Sequence, residues 1–332
     1  MNLESIFDLI IRFGQPIFLA FTIAVSALQL GLFYRRTLKD LTVSYRIAVL
    51  GLPRSGKTAL IGAIFDRIFS SPEGRSFAPI GQETINRVNR VIANLDSRSS
   101  LPPTKENDVF IFRFLYYVRR TILFKGVRYE GEVVDFPGEL SQQLLESSSD
   151  GTLRDDVSLF HREFFSWVIS SKVHVFVIDS AQYLCVVNKA VFVAQISAEI
   201  RAAWQLLNEE ITKTSRSPDR RVALVFSKGD ILGLYGDTPS WSDEMRAEIK
   251  HFGFEFPPDP DIFDTKSSQK TFKGWLRMER DFLPLIEYFK SQDTVFKTFL
   301  VSAYSFDGIG RSGISGLVDF ILPEHGKRKR LR

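Results

Sequence analysis

Cysteine is almost absent from this chain, which has one, Cys185, among 332 residues. An intrachain disulfide is therefore excluded, and this fits a reducing compartment. The sequence around Cys185 supplies no neighbouring base, so we interpret this residue as structural rather than nucleophilic. The four histidines are scattered, and no two have the spacing of a zinc site. These absences exclude a disulfide scaffold and argue against a structural zinc domain.

Excess positive charge is also absent from the chain outside its last residues. Five of the last six residues, 327–332, are Lys or Arg, whereas the formal net charge of the whole chain is +4. The rest of the chain therefore has a net charge of −1, which argues against nucleic acid as a partner. For the basic tail, residues 323–332, three interpretations stay open: a solvated end, contact with anionic lipid headgroups, or a nuclear-import signal.

Charged residues are absent from residues 13–34, FGQPIFLAFTIAVSALQLGLFY. As a helix this run is long enough to cross a hydrocarbon core of about 30 Å. It lacks the basic start and small-residue cleavage site of a secretory signal. We therefore predict an uncleaved single-pass transmembrane helix over residues 13–34, preceded by a short segment, residues 1–12, with a buried helix as the alternative. The positive-inside rule places the following residues on the cytoplasmic face of a membrane, such as the bacterial inner membrane, because basic residues stand at positions 35, 36, 39 and 46.

Apolar strands alternate with helices over residues 45–322, after a linker at 35–44. This alternation predicts a three-layer α/β domain with a mostly parallel sheet, in which ligands bind at the carboxyl ends of the strands. The polar motifs of the chain lie at such ends. The predicted strands cover residues 46–51, a hairpin from 109–118 and 127–136, then 172–180, 220–230 and 297–305; the predicted helices cover 57–69, 83–95, 159–171, 187–211 and 312–322.

The first motif is GLPRSGKT, residues 51–58, which has the pattern GxxxxGK(S/T) between an apolar strand and a helix. Its glycines allow backbone N–H groups to surround phosphate oxygens, and the helix N-terminus adds positive potential. Lys57 would reach the outer phosphates, and the Thr58 hydroxyl would bind Mg²⁺. The candidate phosphate-binding residues are Gly51, Arg54, Ser55, Gly56, Lys57, Thr58 and Ala59.

The second motif is DFPG, residues 135–138, at the end of a β-run. A carboxylate at this position holds Mg²⁺, directly or through water, so Asp135 is a candidate metal ligand. The N–H group of Gly138 would meet the γ-phosphate.

The third and fourth motifs, SKGD at residues 227–230 and SA at residues 302–303, also follow predicted strands. A carboxylate accepts both N–H groups of a guanine edge, and adenine offers no such pair, so Asp230 would select guanine. Lys228 would lie along the base, and Ser302 and Ala303 would present a backbone N–H to the guanine oxygen.

With these four motifs in this order, residues 45–322 resemble the translation-factor-related class of P-loop GTPases. GLPRSGKT together with VVDFPGEL is similar to the bacterial YcjX-type GTPases and to the related double-GTPase families, whereas the N-terminal anchor resembles that of the β subunit of the signal-recognition-particle receptor. Two residues depart from the class. Ser227 replaces an Asn or Thr, which we expect to weaken a loop tether, and Glu139 stands where Ras-like members have a water-orienting Gln.

The resemblance also implies a switch threonine ahead of the hairpin, for which Thr104 is the first candidate and Thr84 the reserve. Arg54, Arg75 and Arg98 are equal candidates for an arginine finger in cis, with a solvated side chain as the alternative for each. The implied ligands are GTP or GDP with Mg²⁺. The candidate catalytic residues are thus Lys57, Thr104, Gly138 and Glu139, and the candidate metal ligands are Thr58, Thr104 and Asp135.

Residues 231–291 exceed a minimal GTPase and are rich in aromatic and charged residues. This insertion would be either a surface for a protein partner or a subdomain packed on the core. We expect a membrane-anchored GTP-binding protein that hydrolyses GTP slowly and acts as a switch. A P-loop ATPase and a GTP-binding scaffold without hydrolysis are the alternatives.

Overall fold

A computed structural model describes eleven stretches of the chain: residues 21–30, 41–70, 76–97, 99, 101, 109–118, 127–139, 159–214, 220–229, 266–303 and 313–322. Contacts between Cα atoms divide the chain into two units. The smaller unit comprises Met1–Val43, Tyr117–Tyr129 and His325–Arg332, and the larger comprises Ser44–Tyr116 and Glu130–Glu324.

The described stretches form a seven-stranded sheet, with the strand order β2-β3-β4-β1-β5-β6-β7. Strands β1, β5, β6 and β7 are parallel neighbours, and one register row joins Ile47, Val173, Arg221 and Val295. The carboxyl ends of these four strands therefore lie at one edge. The strands are β1 (Leu41–Gly51), β2 (Ser76–Pro79), β3 (Phe110–Val118), β4 (Val127–Asp135), β5 (Val173–Asp179), β6 (Arg221–Ser227) and β7 (Val295–Leu300).

Helices cover both faces of this sheet. Side chains alternate along a strand, and in β1 the buried residues Ala48 and Leu50 belong to a core cluster that contains residues of α3, α5 and α7. The buried neighbours Ile47 and Val49 lie outside that cluster, on the face where α1 packs against α2 and α8. The helices are α1 (Lys57–Phe69), α2 (Gln82–Asp96), α3 (Leu159–Ser170), α4 (Ser180–Cys185), α5 (Lys189–Thr214), α6 (Lys266–Asp281), α7 (Leu283–Lys290) and α8 (Ile314–Ile321).

The α/β class with a mostly parallel sheet is confirmed. The helix predicted over 187–211 corresponds to α5, whereas strand β2 and the short helix α4 were not predicted. A break separates α4 from α5. Asn188 explains the break, because its Oδ1 accepts the Val191 N–H at 3.2 Å and so caps the beginning of α5.

The predicted insertion, residues 231–291, contributes to the core at its C-terminal end. Its described part begins at residue 266 and forms α6 and α7 between β6 and β7. Met278, Phe282 and Phe289 are fully buried in the core cluster. The described part of this segment therefore packs on the core, as the second interpretation expects, and residues 231–265 lie outside the described stretches.

In the smaller unit, residues 21–30 are helical. They belong to the transmembrane helix predicted over 13–34, whose other residues lie outside the described stretches, as does the basic tail from residue 323 onward. Four large apolar side chains are exposed here, those of Phe21, Ile23, Leu28 and Leu30. Within the stretches that the structure describes, no helix combines the length and apolarity needed to cross a membrane.

Candidate functional site

The loop between β1 and α1 has the backbone geometry of a phosphate cradle. Gly56, the residue before α1, has φ 85°, in the left-handed region that favours glycine, and it offers no side chain to cap the first turn of α1. Gly51 lies so close to β5 that a Cβ atom there would be 2.7 Å from the Val177 carbonyl oxygen. A side chain at Gly51 would therefore displace the loop. The N-terminus of α1, with its positive potential, opens onto this loop.

The Lys57 side chain folds back along the same loop. Its Nζ donates to the carbonyl oxygens of Gly51 and Leu52, both at 2.9 Å. Burial lowers the pKa of Lys57 from 10.5 to about 8, and the negative charges of Asp135 and Glu139 oppose part of that shift. The ammonium group is thus held beside the loop in a site that disfavours an uncompensated positive charge.

Thr58 and Asp135 meet across the site. The Thr58 Oγ1 donates to the two carboxylate oxygens of Asp135, at 2.9 and 3.1 Å. Asp135 ends β4 and is buried. A hydroxyl and a carboxylate are oxygen ligands of the kind that Mg²⁺ prefers, so the pair fits the predicted metal ligands. Among the described residues, no group of three or more His, Cys, Asp or Glu side chains forms a metal site of its own.

The turn after β4 rests on the phosphate loop. A Cβ atom on Gly138 would lie 2.3 Å from the Pro53 Cα atom, so only glycine fits this approach without displacement. Glu139 follows and is half-buried. Its Oε2 is buried with no hydrogen-bond partner among the residues that the structure describes. The sequence suggested no role for Pro53. In the structure Pro53 lies against Gly138, the residue whose N–H is predicted to meet the γ-phosphate.

Ser227, at the end of β6, is bonded directly to the phosphate loop. Its hydroxyl donates to the Ser55 carbonyl oxygen at 2.7 Å, and the Ile178 carbonyl oxygen lies 3.2 Å away. We expected serine at this position to weaken the tether between the two loops. In the structure the serine makes this tether through a buried hydrogen bond.

Lys228 makes a second connection to the loop. Its Nζ donates to the Arg54 carbonyl oxygen at 3.1 Å and forms a 2.6 Å ion pair with Asp179 Oδ2. Sequence reasoning missed Asp179, although it ends the apolar strand VHVFVID and so carries the same signal as Asp135. Polar residues at the carboxyl ends of β4, β5 and β6 therefore all face one site.

Residues 301–303 lie beside the SKGD motif. The Val301 N–H donates to the Phe226 carbonyl oxygen, and the Gly229 N–H donates to the Val301 carbonyl oxygen, both at 2.9 Å. These bonds hold Ser302, which is buried, and Ala303, which is half-buried, next to Lys228. The third and fourth predicted motifs are thus adjacent in the fold.

One predicted residue lies away from this arrangement. Thr84, the reserve switch threonine, is buried in α2, where its Oγ1 accepts the Arg113 N–H at 3.4 Å. It therefore has a structural role, supporting β3, rather than a place at the site. Arg54 is exposed and has φ 63°. The other predicted residues, Thr104, Asp230, Arg75 and Arg98, lie outside the described stretches.

Comparison with known protein families finds a match over most of the chain. The model of the family described as Double-GTPase 2 matches residues 45–271, which include the phosphate loop, the DFPG turn and the SKGD motif. A search for similar sequences among curated proteins found no significant match.

Proposed function

The chain belongs to the Double-GTPase 2 family, and we propose that it is a membrane-anchored switch that binds guanine nucleotide with Mg²⁺ and hydrolyses GTP slowly. One observation carries this proposal. Consecutive carbonyl groups of the phosphate loop, those of Arg54 and Ser55, accept hydrogen bonds from Lys228 and Ser227 of the base-binding motif. A loop for phosphates and a motif for guanine that are bonded together in this way suit one ligand that carries both groups.

The proposed chemistry is phosphoryl transfer to water, in which positioning and electrostatics supply the catalysis. Lys57 would neutralise charge on the outer phosphate oxygens. Thr58 and Asp135 would hold Mg²⁺, with Thr104 as a further ligand when GTP is bound. Bound Mg²⁺ would supply positive charge against the developing negative charge of the phosphates. Gly138, against Pro53, would change position between the GTP and GDP states.

Hydrolysis would be slow because Glu139 occupies the place of a water-orienting Gln. A carboxylate accepts hydrogen bonds but, when ionised, donates none. Its negative charge also adds to the electrostatic field that Lys57 experiences. Beside a triphosphate, a carboxylate therefore orients an attacking water less well than the amide of Gln does.

The proposed membrane anchor is supported by observations independent of the nucleotide site. The helical residues 21–30 expose Phe21, Ile23, Leu28 and Leu30, with exposed fractions of 60 to 73%. An apolar helical surface of this kind is costly in water and favourable in lipid. Basic residues after position 34 favour a cytoplasmic location for the nucleotide site. The basic tail would add an attraction to anionic lipid headgroups.

A single-turnover assay with the full chain, GTP or ATP, and Mg²⁺ tests the nucleotide assignment. We expect the wild type to release phosphate from GTP in preference to ATP. The substitution Asp230→Ala should abolish that preference, since it removes the acceptor for the two guanine N–H groups. Lys57→Ala serves as the catalytic control and should reduce phosphate release from both nucleotides.

The possible outcomes separate the alternatives. A preference for GTP that is unchanged in Asp230→Ala would contradict the assignment of guanine recognition to Asp230. Faster turnover of ATP than of GTP by the wild type would identify an ATPase. Tight GTP binding with no phosphate release above that of Lys57→Ala would identify a scaffold rather than an enzyme.

A further inference from the structure

Asp179 uses its two carboxylate oxygens for two different tasks. Oδ1 accepts the backbone N–H groups of Ala181 and Gln182, at 2.9 and 3.4 Å, and so caps the beginning of α4. Oδ2 accepts the Lys228 Nζ at 2.6 Å. The Asp179 side chain is 10% exposed and that of Lys228 is 32% exposed, so the ion pair is largely shielded from water. The cap fixes the carboxylate, and the fixed carboxylate in turn holds the lysine.

Lys228 needs such support because its backbone is strained. Its φ of 54° lies in the left-handed region, which non-glycine residues seldom occupy. Its side chain runs from the end of β6 to the phosphate loop, where the Cε atom would be 4.0 Å from a Cβ atom on Gly56. There Nζ donates to the Arg54 carbonyl oxygen. Without Asp179, the ammonium group would lose its short, charge-assisted bond and gain rotational freedom.

We propose that Asp179 is a positioning residue for guanine nucleotide: it fixes Lys228 and, through it, the link between the base-binding motif and the phosphate loop. This inference depends on the proposed function, because the ligand it serves is a guanosine di- or triphosphate. Asp179 belongs to none of the four motifs. It acts from β5, the strand between the phosphate loop on β1 and the base-binding motif on β6.

The affinity of the full chain for a fluorescent GDP analogue, in the presence of Mg²⁺, tests the inference. Asp179→Asn retains an oxygen that can cap α4 but removes the charge that Lys228 contacts. We expect it to weaken binding about tenfold, as for loss of a charge-assisted, partly buried bond, while the melting temperature stays close to that of the wild type. Asn188→Ala, which removes the cap of the neighbouring helix α5 and touches no site residue, should bind as the wild type does.

A double-mutant cycle separates positioning from a merely structural role. Lys228→Met keeps the length of the side chain and removes the ammonium group. If Asp179 acts through Lys228, adding Asp179→Asn to Lys228→Met should produce no further loss of affinity. If Asp179→Asn does not fold, Asp179→Ser, which also offers a capping oxygen, replaces it in the cycle.

Three results would overturn the inference. Asp179→Asn could bind the analogue as tightly as the wild type, the effects of the two substitutions could simply add, or Asn188→Ala could weaken binding to the same extent. A wild-type chain that binds no GDP analogue would instead contradict the proposed function itself, and the inference with it.

Discussion

At the residue scale, burial and neighbouring charges have opposite effects on the pKa of Lys57. Burial lowers its pKa to about 8, whereas Asp135 and Glu139 raise it. The unfolded chain retains the ordinary pKa of 10.5, so between pH 8 and 10.5 it binds more protons at Lys57 than the folded chain does. The contribution of Lys57 to folding stability therefore increases with pH in that window, while its value as a phosphate ligand decreases.

We predict that affinity for GDP falls as pH rises above about 8. Phosphate oxygens bind the charged ammonium, and each pH unit above the pKa reduces that form by up to about tenfold. Binding titrations from pH 6.5 to 9 measure the effect, with Lys57→Ala as the control. The variant also shows whatever dependence comes from the nucleotide, so the wild-type to variant ratio isolates Lys57. A ratio that is constant over this range would contradict the prediction.

How far the sequence predicts the site depends on whether a residue belongs to a contiguous motif. Lys57, Thr58 and Asp135 are found from pattern alone, because their spacing follows from how a loop surrounds phosphate. Asp179 is a single carboxylate at the end of an apolar strand, and its importance comes from Lys228, which is distant in sequence but adjacent on the next strand. The Ser227 hydrogen bond depends on how closely two loops approach, a distance that the sequence does not specify.

At the element scale, α7 shows why the insertion was hard to interpret. Along α6 and α7 the charged and the apolar residues alternate with the period of a helix, so an exposed partner surface and a packed helix have the same composition. The structure decides between these two interpretations, because the segment between the parallel strands β6 and β7 packs helices against the sheet, as such crossovers usually do. The long α5 was predicted, at residues 187–211, but α4 is only six residues long and gives almost no periodic signal.

We predict that Phe289→Ala in α7 costs about 3–5 kcal/mol of folding stability, the usual cost of a large cavity in a packed core. The ring is fully buried and lies 5.1 Å from the ring of Phe296 and 5.9 Å from those of Phe176 and Trp204, measured between centroids. Urea unfolding measures the loss. Leu283→Ala, in the same helix but with its side chain 45% exposed, is the matched control and should change stability by less than about 0.5 kcal/mol. Equal effects of the two substitutions would mean that α7 does not pack in the core.

At the scale of the whole molecule, the long apolar run and the cluster of positive charges lie near opposite ends of the sequence. The apolar run at residues 13–34 precedes β1, whereas five positive charges occupy the last six residues. Strand β1 begins at Leu41 and ends in the phosphate loop at Gly51. The chain between the predicted anchor and the sheet therefore enters β1 at the end away from the phosphate loop. Loss of the anchor should consequently leave the nucleotide site intact.

We predict that deleting residues 1–36 releases the protein from the membrane fraction without changing its affinity for GDP. The full chain should resist extraction by high salt, because apolar burial rather than charge would hold it. A second variant, with the five basic residues of the tail replaced by serine, separates the two contributions. It should stay in the membrane fraction, because it keeps the apolar helix and loses only an attraction that salt screens. Fractionation of cells that express each variant, followed by GDP titration of the purified proteins, makes the comparison. Extraction of the full chain by salt, or retention of the truncated chain in the membrane, would show that residues 13–34 do not form the anchor.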